Sequence, residues 1–222
     1  TNELYADMAD YEGMHFRTKP GASAFEKWLA FMVDTAAQAE IQYGWQHPIA
    51  FSNWVTTDLL EHPGEPLYEE DLVGIDPSLI EVTDWEAGYF ASYHVYPYYP
   101  DFFTFDKSFQ TMTNRKGQID SYTTYLHKLK EAHPDMPVMI TEFGVPASLG
   151  IAHLGPLDRN QGGHNERQQG EINADLLQQI HDAGYSGAIL FTWQDEWFKK
   201  TWNTLRFDDP DRRAYWYNVL TN

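Results

Sequence analysis

The sequence predicts an α/β domain built on parallel strands. Three observations carry this reading: short apolar runs of strand length, amphipathic helical segments between them, and Gly or Pro at the joints. Apolar strands that alternate with helices return to one sheet through right-handed crossovers, which makes the sheet parallel.

The first element is a helix. Ser23-Ala-Phe-Glu26 has the spacing of a capping box, and Phe25, Trp28, Leu29, Met32, Val33 and Ala36 then recur at helical spacing up to a stop at Gly44. Ile49–Trp54 reads as a buried strand. Residues 55–86 form a long connection with a helical turn at Asp76–Ile80, and Gly88–Tyr96 is the second strand. Tyr122, Tyr125, Leu126, Leu129 and Ala132 predict a helix over 121–133, followed by a strand over 137–142 and a loop over 143–163. Ile172, Leu176, Leu177 and Ile180 share one face of a helix over 166–183. The fourth strand is 187–193, and a closing helix comes after Pro210 through Ala214, Trp216, Val219 and Leu220. No stretch resembles an interdomain linker, so residues 1–222 read as a single domain.

Composition narrows the function. The 222 residues carry 15 Lys and Arg against 33 Asp and Glu, a net charge of −18. Such a surface repels a nucleic-acid backbone or anionic lipid, so neither is expected as a partner. The longest apolar run, Trp28–Val33, is far shorter than a membrane span. With no cysteine there is no disulfide frame, thiolate nucleophile or thiolate metal site. His62, His153 and His164 sit in loops without ligand spacing, and no phosphate-binding or serine-elbow pattern occurs, so no metal or cofactor is expected. The excess is aromatic: 8 Trp, 14 Tyr and 13 Phe, many beside polar residues and prolines, as in Tyr96-Pro97-Tyr98-Tyr99-Pro100. Flat rings flanked by hydrogen-bonding groups suit sugars, and the plain alternative is a large aromatic core.

Chemistry collects where the strands end. The four runs close in Asn53-Trp54, in His94-Val95-Tyr96, in Glu142-Phe143-Gly144 and in Trp193-Gln194-Asp195-Glu196-Trp197. The carboxyl edge is where parallel α/β sheets bind ligands. Each residue also has a plain alternative: Glu142 as a salt-bridged carboxylate, His94 as a core histidine, Tyr96 and Trp193 as packing, Asp195 and Glu196 as a solvated loop.

Met139-Ile-Thr-Glu-Phe-Gly144 resembles the seventh-strand motif of the (β/α)8-barrel clan of retaining glycoside hydrolases, the cellulase, mannanase and β-galactosidase relatives. The resemblance implies a parallel half-barrel, strands five to eight of a TIM barrel, with Glu142 as catalytic nucleophile and Tyr96 and His94 as its donors. It places Trp193 as a platform under the sugar, and Asn53, Trp54, Gln194, Asp195 and Trp197 around the subsites. A full barrel needs eight strands and typically about 250 residues. Four strands and no initiator Met therefore imply the C-terminal half of a barrel, with the N-terminal half as its missing partner and a homodimer as another way to cover the open sheet. The second carboxyl group is expected at the end of strand four, where the clan's motif is often Asn-Glu; Asn2-Glu3 makes Glu3 the candidate acid/base. The expected function is retaining hydrolysis of O-glycosidic bonds in a poly- or oligosaccharide; the compartment stays open, with an extracellular or cell-envelope setting favoured over a cytoplasmic one. The alternative is a non-catalytic carbohydrate-binding or degenerate barrel domain of a larger glycan-handling protein.

Overall fold

The computed structural model describes residues 6–194. In chain order it contains β1 (Phe16–Thr18), α1 (Ala24–Gln42), β2 (Ser52–Trp54), β3 (Ile80–Val82), β4 (Ala91–His94), α2 (Phe102–Phe105), α3 (Ser121–Glu131), β5 (Val138–Phe143), α4 (Glu166–Asp182) and β6 (Gly187–Leu190), with short 3-10 turns between. Strands β2, β4, β5 and β6 form one sheet in that order, every pair parallel. The α/β class and the parallel sheet are therefore as the sequence predicts. The closing helix expected after Pro210 lies outside the described residues.

The helices begin where local chemistry starts them. Ser23 and Glu26 form the reciprocal capping box of α1, and Gly44 ends that helix at a φ of 70°. The Asp120 side chain accepts the N–H groups of Tyr122 and Thr123 to start α3, and Asn165 with Gln168 forms a second capping box on α4. The main core lies between the sheet and α3 and α4: Tyr93, Val138, Ile140 and Phe143 pack on Tyr122, Tyr125, Leu126, Leu129, Leu176 and Ile180. Much of the aromatic excess lies in this core rather than at a ligand face.

One element was not anticipated. β1 and β3 pair antiparallel, Phe16 opposite Val82, and pack with α1 into a second cluster of Phe16, Leu29, Ala30, Val33, Ala37, Ile75, Ile80 and Trp85. Three-residue strands are too short for alternation to reveal them. This pairing also corrects the inner face of α1. Met32 and Ala36 are exposed, whereas Glu26, Ala30, Asp34 and Ala37 are buried. Two carboxylates lie on that inner face because they accept backbone N–H groups. Glu26 receives Ser23 and Asp76, and Asp34 receives His15 and Phe16 at 2.6 and 2.9 Å, with Tyr11 and Gln38 adding side-chain donors.

The long 55–79 connection is held in the same manner. Asp58, buried, accepts the Tyr125 hydroxyl at 2.6 Å and the Leu60 N–H at 2.7 Å, and the His62 ring stacks on Phe102 at 3.9 Å beside it. The expected helical turn is the 3-10 turn Pro77–Leu79, capped by Asp76. β6 stops at Leu190, three residues short of the expected strand.

Burial alone would push Asp34 up, but its backbone and side-chain donors outweigh burial and hold it below the usual aspartate value. A depressed carboxylate stabilises the fold above the unfolded value of about 3.9 and loses that contribution as pH falls through the folded value. Asp34→Ala strands two buried N–H groups and is expected to cost about 3 kcal/mol in urea unfolding. Asp34→Asn should flatten the loss of stability below about pH 4, measured by the same method.

Candidate active site

The sheet register builds the site. Trp54 pairs with His94, and His94 pairs with Glu142, so three strands deliver one row at their carboxyl ends. Plain alternation would not put Glu142 in that row. Val138 and Ile140 face the core, and Glu142 would follow them inward. Instead β5 carries one extra residue. Tyr93 and His94 are consecutive but face Ile140 and Glu142, and Ala188 and Leu190 face Ile140 and Phe143. This bulge reverses the alternation, so that Phe143 enters the core and Glu142 turns to the open face.

Gly144 completes the motif. Its φ is 142°, and a Cβ there would lie 3.1 Å from the Phe191 carbonyl oxygen, which reserves the position for glycine. The chain beyond is tied to α4: the Val145 N–H donates to Asn173 Oδ1 at 2.9 Å, and Gln169 Nε2 donates to the Val145 carbonyl at 3.2 Å.

Glu142 is a quarter exposed, open enough to meet a ligand. The Tyr96 hydroxyl donates to its Oε2 at 2.7 Å. His94 Nδ1 lies 3.4 Å from the same oxygen, at ion-pair separation but without hydrogen-bond geometry. Trp54 walls the group, its ring 5.5 Å from that of His94, edge-on, and 6.1 Å from that of Tyr96. Tyr98, 5.5 Å from Tyr96, is buried in the main core, and His153 of the loop after β5 sits 5.4 Å from Tyr99. Beneath the row, Ser92 and Thr141 share a 2.6 Å hydroxyl hydrogen bond.

Four residues expected from the sequence thus meet: Trp54, His94, Tyr96 and Glu142. Asn53 does not join them. It is 2% exposed and turned inward, its amide engaged by Trp54 N–H, Thr57 Oγ1 and the Ile75 carbonyl. Trp193 and Gln194 lie beyond β6, with Trp193 97% exposed. Glu3, Asp195 and Trp197 lie outside the described residues. Among the described residues, no three His, Asp or Glu side chains converge as metal ligands would. Among them, too, no helix is long and apolar enough to cross a membrane.

No protein-family model matches the chain, and neither a curated protein nor a solved structure matches it.

Chemically, the arrangement is a partly exposed carboxylate held by one hydroxyl donor, with an imidazole beside it and an aromatic wall. Burial pushes His94 below the usual imidazole value, and the charge of Glu142 pulls the other way. The two influences act in opposite directions on a ring nitrogen 3.4 Å from the carboxylate oxygen. In Glu142→Gln the upward pull is gone, and His94 should titrate at lower pH than in the wild type. An NMR titration of the His94 ring checks this; a shift to higher pH would show that the two groups are not coupled as their separation requires.

Proposed function

We propose that this chain carries the nucleophile half of a retaining glycoside hydrolase, a parallel half-barrel equivalent to strands five to eight of a TIM barrel. The observation that supports the reading best is Glu142, bulged onto the open face at the carboxyl edge of a parallel sheet and bonded there by Tyr96. Both Tyr96 and His94 approach Oε2, which leaves Oε1 to attack an anomeric carbon. Attack forms a glycosyl–enzyme ester as the glycosidic oxygen departs with a proton from a second carboxylic acid. In retaining enzymes that acid lies about 5–5.5 Å from the nucleophile; water then attacks the ester with the same group as base. Glu3 is the residue proposed for this role. Trp54 and Tyr96 form the aromatic wall of the sugar site, and Trp193 is proposed to close over the ring. The substrate is a neutral or basic poly- or oligosaccharide, since a net charge of −18 disfavours an acidic one.

Among the described residues, strands β2 and β6 each have a single neighbour in the sheet. Four further strands, the N-terminal half of the barrel, would pair with both edges and cover the inner face. A symmetric homodimer is the substitute cover when this chain stands alone. Exposed apolar surface costs roughly 25 cal/mol per Å², and Ile189, Leu190 and Phe191 are all exposed at the β6 edge.

The test of function is made on the protein with both halves present. Glu142→Gln should lower kcat by several orders of magnitude, and Tyr96→Phe by about 100-fold. A 2-fluoro glycoside should label Glu142, as read by peptide mass spectrometry, and the product should retain the anomeric configuration. Inversion, or a label elsewhere, overturns the nucleophile role. Oligosaccharide binding without turnover in the wild type would favour the carbohydrate-binding alternative. The 222-residue chain alone is expected to show little or no turnover. It should dimerise in light scattering over a dilution series, and a monomer at micromolar concentration would mean that its own segments cover the open side.

A further inference from the structure

The Trp54 ring packs edge-on 5.5 Å from that of His94, yet little in the sheet fixes it. Among the described residues β2 is an edge strand; it has three residues, and Trp54 is its last. The next three residues, Val55–Thr57, form a 3-10 turn with no side-chain cap from Trp54. The constraint comes from the opposite face of the strand. Asn53 Oδ1 accepts the Trp54 N–H at 2.9 Å and the Thr57 hydroxyl at 2.6 Å, while its Nδ2 donates to the Ile75 carbonyl at 3.3 Å. One buried amide therefore closes the 53–57 turn and binds it to the far end of the long connection. Burial removes water as a substitute partner, so the turn cannot relax without stranding polar groups.

We propose that Asn53 is a positioning residue: it fixes the turn that sets Trp54 against His94 and Tyr96, and through that wall it controls the surroundings of Glu142. Trp54 is 39% exposed, so packing holds only part of its ring, and rotation of the backbone at 54 would open the side of His94 that the ring covers. Among the described residues, the groups facing His94 are Glu142, the Trp54 ring and the Tyr96 hydroxyl that shares the carboxylate oxygen. The catalytic consequence rests on the proposed role of Glu142; the structural claim does not.

The experiment needs no turnover. The His94 ring is titrated by NMR in the wild-type chain and in Asn53→Ala, Trp54→Ala, the double variant and Thr57→Val, with circular dichroism as the check on folding. Removing the wall directly in Trp54→Ala should move the His94 titration upward, toward the usual imidazole value. Asn53→Ala should move it in the same direction, and the double variant no further than Trp54→Ala, because both act through one ring. A folded Asn53→Ala with an unmoved His94, or shifts that add in the double variant, overturns the proposal. Should Asn53→Ala not fold, Thr57→Val removes a single donor and must give a smaller shift of the same sign; no shift there overturns it equally. Failure of glycosidase activity would leave these titrations unaffected, so the two readings fall separately.

Discussion

The extra residue in β5 decides what the molecule can do. Side chains alternate along a strand, so a carboxylate two residues after Ile140 belongs to the core, where it would have to be neutralised or paired. The bulge reverses that order within the strand. It sends Phe143 to the helices and Glu142 to the open face, level with His94 and Trp54. The aromatic wall, the Tyr96 hydrogen bond and the glycine after Phe143 all presuppose this one change of register.

The fold around that row is held by carboxylates to an unusual degree. Glu26, Asp34, Asp58, Asp106 and Asp120 are all buried, and each accepts at least one backbone N–H. They take the place that regular strands or disulfides would fill, pinning the 11–18 segment to α1 and the 55–75 connection to α3. These hydrogen bonds lie where water cannot compete for the backbone N–H groups. The chain's acidity is thus partly an internal scaffold, and only the rest is a surface that repels anions. Tyrosine plays the complementary part. Tyr93, Tyr125 and Tyr185 bury their rings and still place each hydroxyl, on His133, Asp58 and the Leu126 carbonyl.

The sequence by itself determined the class of the fold, the three long helices, the four parallel strands and the four residues that meet at the carboxyl edge. These were legible because they depend on local signals: a capping box at Ser23, helical spacing at Tyr122, Tyr125 and Leu129, and a short motif around Glu142. Tertiary structure alone decided the rest. The β1–β3 pair is too short to show a period, and Asp34 looks like a solvent residue until the loop that needs its oxygens is in place. Asn53 reads as a strand-end polar group in sequence, but Thr57 in the next turn and Ile75, brought back by a long connection, hold it inward. The direction of Glu142 belongs to the same class, because a bulge is a relation between strands: nothing in Met139-Ile-Thr-Glu-Phe-Gly144 counts residues in β4 and β6, and only their pairing reveals that β5 has one too many.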